Sequence, residues 1–536
     1  MRAFITTLAA VAAAFTAPAA TQAQQQQAQM ERVPDRQPGE GEGPYRRLVI
    51  RNAMLIDGTG APPRGPVDIV VAGNRIESIR GAGTPGLPLR QGREPRDAER
   101  EIDASGMYVL PGFVDTHGHN GDPDKAPNAT YGYRLWLAHG VTTVRGVGLY
   151  DGPDDMSLSD RQRSRDNTIV APRLYAYAVI GDVWPNGPVR TPEQARAWVR
   201  WAAQRGYDGV KFFNSEPPAV MRAAIEEART LRLGTVAHLG QGGVAETNAD
   251  TAGEMGLQGV THFYGHFEAL LRDRTLPAYP VDYNMSDEQW RFSQVARLAD
   301  QIVEPGGPEW RAYLERQRER GVFFSPTLNI YSAGRDVMRA RNADWHERYT
   351  LPSLQRFFQP SRVNHGSYFW DWTTADEIAW RRFYGPYMRL MNDYKNIGGR
   401  VTVGSDAAFI YQNWGFSYIQ ELEMLQEAGF SPLEVIQAAT INGARELHAA
   451  RGEEPQFGIV RTGMLADLVI VPGNPLANLK LLYGTGHMRL NPQTQQVERV
   501  GGVRWTIKDG IVYDAPALLA SVARMVEEAR AREAAR

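Results

Sequence analysis

Between Phe113 and Ser405 the chain alternates short apolar runs with helix-forming stretches, and no other pattern in it constrains the fold as strongly. Eight strand candidates are legible: Phe113–His117, Val141–Arg145, Leu174–Val179, Gly209–Phe213, Thr235–His238, Gly259–His262, Val322–Thr327 and Val401–Ser405. Helical stretches separate several of them. One opens at Thr191-Pro192 and runs to Arg205, and another spans Pro218–Leu233 before Gly234. Strands alternating with helices predict a parallel sheet, and eight such units predict an α/β (β/α)8 TIM barrel over residues 112–449. Two strand-rich segments flank it, residues 45–111 and 450–515, with hairpin signals at Gly73-Asn74 and Asp509-Gly510. Together they predict a small β-sandwich domain built from both ends of the chain.

Composition narrows the chemistry. There is no cysteine, so thiolate metal ligands, disulfides and a Cys nucleophile are excluded. The formal net charge of -2 gives no support to a nucleic-acid partner, which leaves a small-molecule substrate as the expectation. Met1–Ala23 has a short basic start, an apolar stretch and Thr21-Gln22-Ala23. This is a secretory signal pattern with cleavage after Ala23, so a secreted or periplasmic protein is expected, with no membrane span. Residues 24–44, opening on a Gln-rich run, are expected to form a disordered linker. The aromatic-rich insertion at about 331–395 is either a lid or a set of side helices, on the barrel or on another subunit of a homo-oligomer. Residues 516–536 are expected to be helical and remote from chemistry.

Within the barrel, strand ends carry the chemistry, because side chains at the C-terminal ends of barrel strands face the active site. His117 and His119 follow Phe113-Val-Asp-Thr, and alternate residues of a strand point the same way, so both can reach one metal ion. His238 and His262 close the fifth and sixth strands and can hold a second ion. Lys211, in Gly209-Val-Lys-Phe-Phe213, is one of only five lysines among 59 basic residues. Burial favours its neutral amine, which can take up carbon dioxide as a carbamate and bridge two metals; a snorkelling or ion-paired lysine is the alternative. Asp406, in Thr402-Val-Gly-Ser-Asp406, can bind a metal and accept a proton, or simply cap a helix.

Taken in order, Pro111-Gly-Phe-Val-Asp-Thr-His-Gly-His119, Gly209-Val-Lys211, His238, His262, Asp406 and Gly458–Ile470 resemble the metal-dependent amidohydrolase superfamily. The resemblance covers roughly residues 45–515 and is strongest to its imidazolonepropionase-like, Xaa-Pro dipeptidase-like branch. It implies two divalent ions, zinc by expectation, held by His117, His119, His238, His262, carbamylated Lys211 and Asp406, with Asp406 as general base and acid in amide or other C–N hydrolysis. Lactone or ester hydrolysis and ring deamination use the same hydroxide, although a deaminase of this superfamily usually lacks the bridging lysine. A non-catalytic binding protein on this scaffold would have lost ligands, and all six are present. The chain departs from the branch at His238-Leu-Gly240, where His-x-His is common, and at Arg145-Gly146, where Arg-Asp is common. Arg145, Tyr264 and His266 are the candidate substrate-binding residues.

Overall fold

The computed structural model describes residues 30–535 apart from 85–86, 89–93, 120, 148–155, 215, 275, 283 and 363–364. The expected signal segment, residues 1–23, and residues 24–29 lie outside the described residues. Eight parallel strands pair strictly in chain order: Phe113–Gly118, Val141–Val147, Arg173–Val179, Gly209–Phe212, Gly234–His238, Gly259–Thr261, Phe323–Ser325 and Arg400–Val401. They are referred to below as the first to eighth barrel strands. The eighth is a two-residue strand, shorter than its apolar run suggests. Thr402 N–H still donates to Phe324 O of the seventh strand (2.8 Å), and beyond it the chain bonds to the opposite neighbour. Thr116 N–H donates to Val403 O (2.8 Å) and Asp406 N–H donates to His117 O (2.8 Å), which closes the ring between the eighth strand and the first. Asp406 is thereby fixed beside the histidine pair by the barrel's own closure.

Local sequence explains the crossovers. The helix Pro192–Arg205 starts at a capping box, Thr191 with Gln194, and stops at Gly206 in the left-handed region (φ 95°). Gly140, also left-handed (φ 80°), admits the barrel against the terminal sheet; a Cβ there would lie 2.7 Å from Val469.

Both chain ends contribute to one mixed sheet of eight strands. Leu48–Leu55, Arg64–Ala72 and Arg75–Gly81 form an antiparallel meander, and Leu468–Pro472 pairs antiparallel with Met107–Pro111. The small β domain expected from both chain ends is present. These strands share a single hydrogen-bonded sheet that forks at Leu48–Leu55, because Arg100–Asp103 and Met107–Pro111 pair with successive parts of that strand. Its own core gathers Ile50, Ile69, Val109, Leu468, Ile470 and Ile507.

The expected disordered linker is also corrected over its described part. Residues 30–44 pack on the barrel, with Val33 buried, Glu31 N–H bonded to Pro127 O (2.9 Å) and Arg36 N–H to Thr168 O (2.7 Å). The apolar residues are sparse, and backbone hydrogen bonds together with the ion pairs Glu40–Arg134 and Asp35–Arg163 do the anchoring. Ala515–Ala534 is a helix that buries Leu518, Leu519, Val522 and Val526. Among the described residues no helix is long and apolar enough to cross a membrane. The 331–395 insertion is mostly helical, ending in the long helix Thr374–Asn396, which buries Trp380, Phe383, Tyr384 and Tyr387. Its loop at His365-Gly366 reaches the cavity at the top of the barrel.

Candidate metal centre

Asp406 is the hub of the site. Its Oδ1 lies 3.1 Å from His119 Nε2 and 3.5 Å from His117 Nε2, and its Oδ2 lies 3.7 Å from His262 Nε2. The ligand atoms of His117, His262 and Asp406 all fall within 4.8 Å of one another, and all three residues are buried. His238 joins the group through ring packing, with its centroid 4.6 Å from that of His262. The first, fifth and sixth strands and the turn after the eighth thus deliver four imidazoles and a carboxylate to one point.

Backbone strain accompanies this convergence. His262 (φ 65°), Asp406 (φ 47°) and Thr327 (φ 50°), which bonds His262, all occupy the left-handed region, where non-glycine residues are uncommon and concentrate at functional sites.

Lys211 lies on the fourth strand, fully inside the barrel. Its Nζ donates to Thr261 Oγ1 (3.3 Å), and among the described residues no carboxylate lies within ion-pair distance. The expected alternatives for Lys211, a snorkelling or ion-paired lysine, are therefore not what is observed. Burial lowers its amine to about 7, only partly offset by the charge of Asp406. Asp406 moves the other way. Burial would raise it, but the His119 hydrogen bond and the charges of His262, His119 and Lys211 hold it down at about 2. Burial also pushes His262 to about 3 and keeps His117 and His238 well below the usual imidazole range. At neutral pH His117, His238 and His262 are neutral imidazoles beside an ionised carboxylate, which is the protonation state that metal ligands require.

The remaining lone pairs fit a cation. His262 Nδ1 is committed to Thr327 Oγ1 (2.6 Å), while His262 Nε2 and His117 Nδ1 are buried and have no hydrogen-bond partner among the described residues. Orphaned buried polar atoms are rare. Imidazole and carboxylate donors without thiolate suit zinc and similar divalent ions.

Supporting residues that sequence reasoning missed fix this geometry. Asp115 accepts hydrogen bonds from His117 N (3.0 Å), Ser405 N (3.0 Å), Ser405 Oγ (2.5 Å) and Trp136 Nε1 (3.0 Å). It therefore ties the first strand to the turn carrying Asp406. Burial raises its carboxyl to about 6 against the pull of those four bonds. From the other side, Asn329 Nδ2 donates to Ser405 O (2.7 Å). Asp115 stands inside the Val-Asp-Thr-His motif, so an anchoring role was readable there; nothing in the sequence marks Asn329.

Of the three candidate substrate residues, Tyr264 lines the cavity, stacked on His238 at 4.5 Å. Arg145 and His266 do not line it, which corrects both expectations. Arg145 is 1% exposed inside the barrel, where its Nη1 pairs with Glu446 Oε1 (2.6 Å). His266 is buried against Phe324 with Nδ1 2.5 Å from Tyr313 Oη. The cavity, about 50 Å³, is completed by Phe213, Phe292, Ile330, Tyr331, His365 and Phe409, among others. His365 was not singled out from the sequence.

Comparison with known proteins places this geometry in context. Residues 385–512, which include Asp406 and the return into the terminal sheet, match the amidohydrolase family. An N-acyl-D-aspartate deacylase of Alcaligenes xylosoxydans xylosoxydans is 31% identical over 154 residues, covering 27% of this chain and 26% of that protein. A dihydroorotase of Syntrophotalea carbinolica is 25% identical over 248 residues, covering 44% of this chain and 52% of that protein. The chain thus spans about a quarter and about half of these two relatives. Among solved structures, a Xaa-Pro dipeptidase with bound methionine superposes with a TM-score of 0.56 at 20% identity, covering 87% of this chain and 100% of that one. A bottromycin amidohydrolase gives a TM-score of 0.59 at 20% identity, covering 90% and 91%. At that identity the superpositions speak for the fold.

Proposed function

We propose that this chain, which carries an amidohydrolase-family segment over residues 385–512, is an exported hydrolase that cleaves a C–N bond of a small molecule. The observation that carries the proposal is the meeting of three imidazole Nε2 atoms on the Asp406 carboxylate, 3.1–3.7 Å away. In this reading His117, His119, His238, His262 and Asp406 hold two divalent ions, zinc by the chemistry of the donor set. Bound there, the ions would supply Lewis acidity and a water acidic enough to ionise near neutral pH.

The chain's own residues do the rest. Lys211, with an amine near 7, is substantially neutral at physiological pH. The nitrogen of the neutral amine can bond to the carbon of carbon dioxide with loss of one proton, which turns a buried neutral amine into a two-oxygen carbamate anion. Asp406, ionised and on the cavity wall, accepts the proton of the attacking water and returns it to the departing nitrogen. Tyr264, Phe213 and Phe409 border the reacting bond with aromatic surface and limit bulk water. The name of the deacylase relative favours an acyl–nitrogen bond over an ester. Export follows in this reading from the Met1–Ala23 pattern, and N-terminal sequencing of the mature protein, expected to begin at Gln24, checks it.

The decisive experiment is Lys211→Ala in the metal-loaded enzyme. Loss of bound metal and at least a roughly 100-fold fall in turnover of N-acyl amino acids, dipeptides or cyclic amides is expected. Full metal occupancy with unchanged turnover would reject the bridging role of Lys211. A wild-type protein that binds no divalent metal and turns over none of these compounds would reject the hydrolase itself.

A further inference from the structure

Besides Lys211, a second lysine is buried at the top of the barrel, and the chemistry above leaves it unused. Lys125 stands in the loop between the first barrel strand and the helix Thr130–Ala138 and is 3% exposed. Its Nζ lies 3.1 Å from Asp122 Oδ2, 3.4 Å from the ring centroid of Phe409 and 4.3 Å from that of Phe357. Burial pulls the ammonium below the ordinary lysine range, and the charges of Asp122, Asp406 and Asp124 oppose that pull. A cation over a ring face is attracted by the ring's quadrupole, and more strongly where water is excluded.

These neighbours come from different crossovers. Asp122 shares the loop of Lys125, Phe357 ends the insertion helix Pro352–Phe357, and Phe409 belongs to the turn after Asp406. Ser353 Oγ, from the same insertion helix, donates to Lys125 O (2.7 Å), so backbone and side chain of the lysine both hold the insertion. One residue therefore ties the loop after the first strand, the insertion after the seventh and the turn after the eighth.

Phe409 makes that tie matter to the site. It lines the metal cavity and meets His119 edge-on at 5.4 Å. It follows Asp406 and Ala408, both left-handed (φ 47° and 73°), in a turn closed by Gln412 N–H to Phe409 O (2.8 Å). A phenylalanine ring has no polar handle, so whatever packs on it decides where it stands. A hydrocarbon side chain would fill the space of Lys125 without the cost of burying a charge. What the ammonium adds is a fixed point that draws both rings and is itself anchored on Asp122.

We propose that Lys125 is a positioning residue that sets Phe409 as the wall beside His119 and clamps the insertion over the metal cavity. Its kinetic consequence rests on the hydrolase reading above: with the wall in place, the substrate's approach to the reacting bond is fixed.

The test compares metal-loaded wild type, Lys125→Met, Phe409→Leu and the double variant on whichever N-acyl amino acid, dipeptide or cyclic amide wild type turns over. Lys125→Met keeps the aliphatic stem and removes the ammonium. It is expected to raise KM about tenfold with kcat within about threefold. In the Phe409→Leu background the same change should move KM less than twofold, because the ring it acts on is gone. Unchanged KM in Lys125→Met, a loss confined to kcat, or additive losses in the double variant would overturn the inference. Hydrogen exchange of the metal-loaded proteins reads the clamp without turnover. Lys125→Met should speed exchange about tenfold in residues 352–358 and 407–412 and leave the helix Thr374–Asn396 and the terminal sheet at wild-type rates. Unchanged exchange in those two segments, or faster exchange throughout the chain, counts against it. Asp122→Asn, at a side chain 35% exposed, loosens the same ammonium from outside the core and carries the test should Lys125→Met fail to fold. It should shift KM and exchange in the same direction by a smaller factor, and no shift in either would overturn the clamp. The expected exchange pattern in a protein that turns over no substrate would strike the hydrolase reading alone.

Discussion

The two ends of the barrel bury polar clusters of opposite character. At the lower end, Arg173 opens the third strand and places Nη1 2.5 Å from Asp467 Oδ2 and Nη2 2.5 Å from Asp509 Oδ1. Asp467 Oδ1 also accepts the N–H of Asp509 (2.8 Å), and Lys508 Nζ bonds Asn167 Oδ1 (2.8 Å) and Ser164 O. Charges alternate, donors meet acceptors, and the cluster locks the barrel to the terminal sheet. At the upper end, imidazole nitrogens face a carboxylate with lone pairs left over, and the Lys211 amine has no ion-pair partner among the described residues. Both clusters are largely buried, although His119 and His238 are part-exposed where the upper one lines the cavity. What separates the two here is saturation: one cluster is complete in itself, while the other leaves donor atoms that could hold a cation.

Breaking the lower cluster should have the largest effect on stability. Asp467→Ala leaves a buried guanidinium half-paired and should cost about 3 kcal/mol or more, read as a lower urea midpoint, with metal content per folded molecule unchanged. A variant that loses metal before it loses stability would erase the distinction between the ends. Asp115→Asn comes next. It removes an acceptor shared by His117 and Ser405 and should weaken metal affinity about 10- to 100-fold, measured by chelator competition. Wild-type affinity in that variant would show that the upper ligands need no bracing.

A pH-dependent effect is expected at Glu421, whose Oε2 accepts from Asn329 N (2.7 Å) while Oε1 has no partner among the described residues. Burial raises its carboxyl to about 8 from an ordinary 4.5. A raised folded-state pKa contributes stability that is full below about pH 4.5 and is lost as pH climbs towards 8. Glu421→Gln cannot ionise, so its urea midpoint should fall less than that of wild type between pH 5 and pH 8. Parallel pH profiles would mean that Glu421 is already ionised. Glu421 is absent from the lining of the metal-site cavity, so this variant should leave metal binding alone; an unsatisfied group marks chemistry only where it opens on a cavity.

Much of this was legible in the chain. The first six barrel strands fall within a residue or two of the apolar runs, because parallel strands buried on both faces are nearly continuous apolar sequence. The seventh, Phe323–Ser325, and the eighth end earlier than their runs, the eighth because Val403 and Asp406 bond across the seam and extended sequence does not announce its partner. The convergence of His117, His119, His262 and Asp406 was foreseeable from strand ends alone. Arg145 was not, since a long side chain near a strand end can face the cavity or turn inwards, and its partner Glu446 stands 301 positions away. His266 failed for the same reason, paired with Tyr313 from a distant helix. Asn329 and His365 act through hydrogen bonds between crossovers, and no periodicity encodes those. Residues 30–44 were misjudged because polar composition hides anchoring by backbone groups.

The forked sheet has a consequence for synthesis. Leu468 pairs with Pro111, so the strand Met107–Pro111 emerges from the ribosome some 350 residues before its neighbour exists. Until then its edge is an open template for any passing strand, and the nascent chain needs a holdase or rapid docking elsewhere to stay out of aggregates. A chain halted before Leu468 lacks the strand that covers this edge.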